Sequence, residues 1–187
     1  MPMIRETIVT TVDKSGAVHI APLGIIAEGD HWIVAPFRPS RTLDNLLEIP
    51  HAVASHVDDV RIFAGCLTGR REWPAVPTAG PVPRLAAAIA HWELMVDSVV
   101  EDEQRPRFKM RLERAVSHAP FSGFNRAQAA VIELAILSSR LDFLPREKVA
   151  RELAYLTIAI EKTAGPREME AWGWLTQKLR DFYGGDP

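Results

Sequence analysis

The sequence has little cysteine, little net charge and no long apolar run. Its one cysteine, Cys66, excludes a disulfide framework or a cysteine-rich zinc site and is typical of a reducing compartment. A formal net charge of −2 gives no electrostatic footprint for nucleic acid or for an anionic membrane. No apolar run reaches the roughly 18 residues of a membrane span, and residues 1–6 have no signal-peptide pattern. We therefore expect a cytoplasmic protein without nucleic-acid or membrane partners.

Common catalytic motifs are missing as well. The chain contains no G-x-S-x-G, Walker A, G-x-G-x-x-G, H-E-x-x-H or C-x-x-C sequence. His51 and His56 are five residues apart on a predicted strand, so their side chains point to opposite faces and no metal site is expected. Cys66 lies in an apolar run, which predicts a buried and inert thiol. No catalytic residue is assigned from the sequence.

Residues 4–57 follow a strand pattern that one helix interrupts. β-branched residues fill the run from Ile4 to Val12, and polar turns at 13–16 and 28–30 separate it from two more apolar runs. Turns this short join antiparallel neighbours, so a three-stranded meander is predicted. The predicted elements are strands over 4–12, 17–27, 31–37 and 52–57, a helix between Ser40 and Pro50, and a short helix capped by Asp58 or Asp59.

The clearest alternation in the chain lies on both sides of a polar segment at 101–106. Apolar residues alternate with mostly acidic ones over 91–97 and with mostly basic ones over 107–113. We predict a long β-hairpin in which cross-strand ion pairs help to set the register. Residues 69–83 hold two glycines and four prolines, which indicates a long loop.

After Pro120 the apolar period changes to that of a helix. Asn125 can cap a helix that runs to about Arg140, Pro145 opens a second, and Pro166 opens a third after Gly165. Strands followed by helices predict an α+β protein, in which about six strands can close as a small barrel. We predict a barrel domain over residues 1–120 and a helical C-terminal subdomain over 121–187. All six histidines lie at or before residue 118, so acid–base chemistry is not expected in the helices.

The stretch from Arg38 to Asn45 carries the main chemical signal. It places two arginines, two hydroxyls and an amide between a strand and the start of a helix. Guanidinium groups, hydroxyls and free helical N–H groups are the donors that bind phosphate. A capped helix with two solvent-facing arginines remains the alternative.

A second signal is Ala21-Pro22-Leu23-Gly24, in the middle of a predicted strand. Proline cannot donate to a ladder and glycine leaves one face uncovered. A strand interrupted in this way exposes backbone groups that a flat heterocycle can use. A β-bulge at a barrel corner is the alternative.

Together these segments resemble the FMN-binding split-barrel flavoproteins. The resemblance rests on Thr10-Thr11-Val12, on Gly16 and His19-Ile20-Ala21-Pro22-Leu23-Gly24 after the turn, on Pro36-Phe37, and on Ser40-Arg41-Thr42-Leu43-Asp44-Asn45-Leu46. Thr42 and Asn45 match the stretch that holds the FMN phosphate in flavin reductases of this superfamily, while Ser40 and Arg41 replace its arginine and its acid. More closely, the chain resembles the domain-of-unknown-function 447 (DUF447) family of methanogenic archaea and of bacteria that use tetrahydromethanopterin.

The resemblance implies a homodimer with FMN near the subunit interface and an oxidoreductase activity linked to tetrahydromethanopterin one-carbon metabolism. It places the phosphate against Ser40, Arg41, Thr42 and Asn45, together with Arg38. It places the flavin ring along His19, Ile20, Ala21, Pro22, Leu23 and Gly24, with Thr10 nearby. Two alternatives stay open, namely a non-catalytic dimeric module that binds flavin or a partner, and F420 or haem in the same pocket. Substrate and electron donor are not assigned.

Overall fold

A computed structural model describes residues 2–187 and confirms the predicted α+β class. The strands are β1 (Ile4–Val12), β2 (Val18–Glu28), β3 (His31–Val34), β4 (His51–His56), β5 (Ala75–Val76), β6 (Arg84–Leu85), β7 (Ala90–Val100) and β8 (Arg107–Ser117). The α-helices are α1 (Arg41–Glu48), α2 (Arg61–Leu67), α3 (Arg126–Ser138), α4 (Arg146–Thr163) and α5 (Pro166–Tyr183), with a 3-10 helix at Leu141–Phe143. None of the helices described over 2–187 has the length and apolar character needed to cross a membrane.

Six strands close into an antiparallel barrel in the order β1-β2-β3-β8-β7-β4, as predicted. The turn between β1 and β2 is built by Asp13, whose carboxylate accepts hydrogen bonds from the backbone N–H groups of Ser15 (2.9 Å) and Ala17 (3.0 Å). Gly16 in this turn has a φ of 84°, a conformation that suits glycine because it has no Cβ. These local bonds explain why β1 and β2 form a hairpin.

Strand β2 corrects the expectation of an interrupted strand. Its register with β1 is continuous from Ile4↔Ile26 to Val12↔Val18, so the chain has no bulge at Pro22. Strand β3 pairs only with the last three residues of β2, and β1 is therefore the one strand beside residues 18–25 within the described chain. Proline is accommodated because its missing N–H can lie on the edge that no second strand uses.

The β7–β8 hairpin has the predicted strands, and its register follows from burial more than from charge. Leu94, Phe108 and Met110 are at most 1% exposed in the barrel core. Two cross-strand ion pairs, Arg111 with Asp97 and Arg114 with Glu93, are both 3.9 Å long, and each has an exposed arginine. Ion pairs of this length with an exposed partner contribute little to stability, so the alternation of buried side chains sets the register.

The chain divides into two compact units, which differ from the predicted domains at one segment. The barrel unit runs up to Val57 and continues over Trp73–Phe121, and the helical unit comprises Asp58–Glu72 and Ser122–Pro187. Residues 58–72 were predicted to belong to the barrel domain because of their place in the chain. They group with the helices because Val60 and Ala64 of this segment pack in the apolar core formed by α3, α4 and α5.

The helical unit is organised by its caps and by one apolar core. Asn125 caps α3 as predicted, since its side-chain oxygen accepts hydrogen bonds from the N–H groups of Ala127 (2.8 Å) and Gln128 (3.3 Å). At the start of α5, the Glu168 carboxylate accepts from the N–H of Gly165 at 3.0 Å. Leu134, Leu175 and Leu179 are fully buried in the core of this unit.

Candidate functional site

The first turn of α1 presents hydrogen-bond donors at the surface of the barrel unit. Ser40 is the N-cap, and its Oγ accepts from the N–H of Leu43 at 3.3 Å, which leaves the hydroxyl hydrogen able to donate. The N–H groups of Arg41 and Thr42 precede the first helical bond and have no intrahelical acceptor. The side chain of Arg41 is 59% exposed, and its Nη2 lies 3.9 Å from Asp13 Oδ2. This turn therefore combines the Arg41 guanidinium with several donors, and it also carries the carboxylate of Asp44.

Thr42 and Asn45 lie on the opposite, inner side of the same helix. Each is only 3% exposed. The Asn45 side-chain amide donates to Thr11 Oγ1 of β1 at 3.0 Å, a bond between two buried groups. This bond fastens α1 to the barrel, so the structure assigns Asn45 a holding role whether or not a ligand is present.

Arg38 is held by the turn between β7 and β8. Its Nη2 donates to Glu101 Oε2 at 2.6 Å, and its Nε donates to the carbonyl of Asp102 at 3.3 Å. The predicted phosphate residues therefore fall into three groups in the structure. Ser40 and Arg41 face outward on α1, Thr42 and Asn45 face inward, and Arg38 is paired with an acid.

The predicted ring-binding residues form one continuous segment of β2. Ile20 is 8% exposed, and the other members are half-buried, namely His19, Ala21, Pro22, Leu23 and Gly24. Among the described strands, β1 is the one that pairs with this segment, as described above. The position where a Cβ of Gly24 would lie is 2.7 Å from Ile4 Cγ2 and 3.2 Å from Glu6 Oε1, so the space that this glycine leaves is filled by β1 side chains.

Thr10, the remaining predicted residue, holds a neighbouring segment. Its buried hydroxyl donates to the carbonyl of Pro83 at 2.6 Å. Two further bonds fasten the same segment, one from the N–H of Leu85 to Ser55 Oγ (3.2 Å) and one from the N–H of Gly80 to Glu93 Oε2 (2.9 Å). Residues 77–85, here called the strap, thus follow the outer face of the barrel. Most of the strap lies within the loop predicted over residues 69–83, and these hydrogen bonds hold it against the barrel.

A row of three titratable side chains beside the strap was missed by the sequence reasoning. His91 Nδ1 lies 2.8 Å from His118 Nε2, and His91 Nε2 lies 3.4 Å from Glu93 Oε1. Burial lowers the pKa of His91 although Glu93 opposes this shift, and burial also lowers the pKa of His118. Alternation along β7 predicts that His91 and Glu93 share a face, but the position of His118 depends on the strand register, which the sequence does not reveal.

Metal ligation is not indicated within the part of the chain that the structure describes. In residues 2–187 there is no group of three or more histidine, cysteine, aspartate or glutamate side chains that could hold a metal ion. The Cys66 side chain is 4% exposed, buried as the sequence predicted.

Comparison with known proteins gives a family and a fold. The model of the N-terminal domain of a protein of unknown function, DUF447, matches residues 5–119, and the second DUF447 model matches residues 125–177. An FMN-bound protein of the same family from Methanosarcina mazei is 22% identical, and the superposition covers 94% of this chain and 95% of that one with a TM-score of 0.80.

Two enzymes are similar over the barrel. The 2-nitrobenzoate 2-nitroreductase of Pseudomonas fluorescens is 20% identical, with 63% of this chain and 64% of that one covered and a TM-score of 0.52. The styrene monooxygenase flavin reductase of Pseudomonas putida S12 is 15% identical, with 61% and 81% covered and a TM-score of 0.52. At these identities the likeness establishes the fold, which is the split barrel that the sequence predicted.

Proposed function

The chain belongs to the DUF447 family, and on that premise we propose that it binds FMN and acts as an oxidoreductase of the flavin-reductase-like split-barrel type. The observation that carries the proposal is the donor-rich first turn of α1, with the exposed side chain of Arg41, in a split-barrel fold. A structurally similar protein of the family is FMN-bound. FMN supplies the electron and hydride transfer when it is bound, and the chain positions it.

The residues present fit the phosphate of FMN. Ser40 Oγ–H, the exposed guanidinium of Arg41 and the amides of Arg41 and Thr42 are donors at one helix start, where the helix dipole also favours an anion. The buried side chains of Thr42 and Asn45 support this turn from the inner side of α1, and Asn45 does so through its hydrogen bond to Thr11. Arg38 would add a further charge only by leaving Glu101, so we give it a secondary role.

The edge of β2 fits the flavin ring. Among the described strands only β1 pairs with β2 over residues 18–25, and the side chains of Ala21 and Pro22 are small enough for a planar group to approach the backbone. We propose that the ring lies along this edge, with His19 as the polar side chain closest to it. Thr10 would act indirectly, since its hydroxyl is bonded to Pro83.

We further propose that the protein is a homodimer with the flavin near the interface. Ile4 on β1 and Val18 on β2 are 53% and 39% exposed, and Phe37 before α1 is 59% exposed. Apolar side chains at these positions, around the proposed ring site, would be covered by a second copy. Light scattering after gel filtration tests this directly, because a monomeric mass in the presence of FMN would contradict it.

The cellular compartment and the metabolic pathway are also proposals. The presence of a single cysteine, which is buried, supports a cytoplasmic protein. Family resemblance alone supports a link to tetrahydromethanopterin one-carbon metabolism. Electron donor and substrate are to be found by assay.

The experiment that tests the proposal is the absorption spectrum of the purified protein, followed by identification of what heat releases. Absorbance typical of flavin, or its appearance on adding FMN, and its loss on adding NADH or NADPH are expected. A protein that binds no flavin contradicts the whole proposal. Bound flavin that no donor reduces supports a non-catalytic module instead, and a deazaflavin or haem spectrum identifies another cofactor.

A further inference from the structure

A cavity in the helical unit lies where the end of α2 meets α5. Its volume is about 450 Å³, within the range of small-molecule sites. One wall is the segment after α2, which turns at Gly69 and is held there because the N–H groups of Thr68 and Arg70 both donate to the carbonyl of Gly65 (3.0 and 2.8 Å). The other wall is α5. The cavity therefore has a fixed backbone on both sides.

The side chains of this cavity combine an aromatic surface with two cations. The guanidinium carbon of Arg70 lies 4.4 Å from the ring centroid of Trp174, and its Nη1 donates to Thr68 Oγ1 at 3.0 Å. The ammonium of Lys178 donates to the carbonyl of Leu67 at 2.9 Å, which uses one of its three N–H groups. Both cations are thus oriented before any ligand arrives.

The charge of the lining is positive. Among the described residues that line the cavity, Asp181 is the one carboxylate, and its Oδ1 accepts from the neutral side-chain amide of Gln177 at 2.8 Å. Arg70 and Lys178 together exceed this single negative charge. An anionic group is therefore the ligand chemistry that the cavity favours.

Gly173 leaves the backbone of α5 uncovered on this wall of the cavity. It lies in the interior of α5, where glycine is less favourable than alanine. Its φ is not in the left-handed region, and a Cβ built on it would meet no heavy atom within 4 Å outside its own helix and neighbours. Among residues 2–187 no side chain fills this space, so the helix backbone at Gly173 is open to contact by a ligand.

We propose that this cavity binds a small planar organic anion that carries a carboxylate or a phosphate. Arg70 and Lys178 hold the anionic group, and the planar part lies against Trp174 and the open backbone of Gly173. This site is separate in the sequence from the proposed FMN site, and it is assigned independently of it.

The test uses phenyl phosphate and benzoate as probes, added to the full-length ¹⁵N-labelled protein and followed by NMR. The indole N–H of Trp174, identified from a Trp174→Phe variant, and the amides of Thr68 and Gly173 report the site. We expect saturable shifts of these signals below about 10 mM probe, as befits a ligand of this size.

Two substitutions and one control make the test decisive. Lys178→Gln should weaken binding about tenfold, as loss of one charge-assisted hydrogen bond does. Arg180→Gln removes the same charge from the exposed side of the same helix, where Arg180 pairs with Asp186, and should leave binding unchanged. Gly173→Ala should raise the melting temperature and yet abolish binding, because the methyl group fills the contact surface.

Absence of saturable shifts with both aromatic probes would overturn the proposal. So would shifts that persist unaltered in both Gly173→Ala and Lys178→Gln. Inorganic phosphate that binds as tightly as phenyl phosphate would contradict the planar component, since the ring would then contribute nothing.

Discussion

The barrel unit and the helical unit bury their polar groups for different purposes. In the barrel, buried Thr10, Asn45 and Glu93 reach across the chain to hold the strap and α1 in place. In the helical unit, buried Asp59 and Glu168 bond to nearby backbone at the starts of α2 and α5. The barrel's bonds hold segments next to the proposed flavin site, whereas these bonds of the helical unit complete helix starts, and Glu168 also accepts from the Gln128 side chain on α3 at 3.2 Å. A substitution in the barrel should therefore affect function and stability together.

The largest expected effect compares the two apolar cores. Phe108→Ala in the barrel should lower the free energy of unfolding by about 3–5 kcal/mol, and Leu175→Ala in the helical unit by about 2–5 kcal/mol, because each leaves a cavity in a fully buried cluster. Chemical denaturation gives the size, and segment-resolved hydrogen exchange gives the place. Exchange that rises equally in both units for each variant would contradict the assignment of two separate cores.

A smaller effect is expected from loosening the strap. Thr10→Val keeps the shape of the side chain but removes the donor to Pro83, which should cost about 1–3 kcal/mol and speed protease cleavage within the strap. The affinity for FMN should change less than it does in Arg41→Ala, since the hydroxyl is already engaged. Thr176→Val, which removes a hydroxyl bonded to the Trp172 carbonyl on α5, is the control in the helical unit. If FMN binding is lost in Thr10→Val while the strap stays protected, Thr10 contacts the flavin directly.

The smallest effect concerns pH, and it should distinguish the units because every histidine lies in the barrel. Burial lowers the pKa of His91 and of His56, so the folded barrel favours their neutral forms. Their contribution to the free energy of unfolding is complete above pH 6.5, the ordinary pKa of histidine. It is lost as the pH falls below 6.5 through the lowered pKa of each residue.

Exchange protection in the barrel should therefore decline between about pH 7 and pH 5 more than in the helices. For His91 the lowering by burial, Arg84 and Arg114 is opposed by Glu93, so this residue should supply only part of the decline. His91→Gln should make the pH dependence of the barrel flatter. An equal decline in both units, or no change in His91→Gln, would show that other groups are responsible.

Local patterns were sufficient to predict most of the elements. The alternation over 91–113, the cap at Asn125 and the prolines at 145 and 166 each depend on neighbours in sequence, and the structure confirms the hairpin and the three helices. The grouping of α2 with the helices could not be predicted, because the partner of its apolar face, the core of α3 to α5, lies far away in the chain. The continuity of β2 through Pro22 was missed for a similar reason, since it depends on where β3 stops pairing.

Prediction of the site was limited by the same physics. The residue types at 38–45 indicate phosphate chemistry, but only the fold separates outward Arg41 from inward Asn45 and pairs Arg38 with Glu101. The row of His91, Glu93 and His118 requires the register of two strands and the path of the chain beyond β8. Long-range pairing, unlike helix or strand formation, leaves no local pattern to read.

The most direct test of the central claim is the affinity for FMN of Arg41→Ala, compared with the wild type and with Lys14→Ala. Lys14 is an exposed cation in the adjacent turn that pairs with Glu48, so it controls for general electrostatics. Loss of a charge-assisted bond to the phosphate should weaken binding by about 1.5–3 kcal/mol in Arg41→Ala, with little change in Lys14→Ala. Tight FMN binding that is the same in all three proteins would contradict a phosphate site at the start of α1.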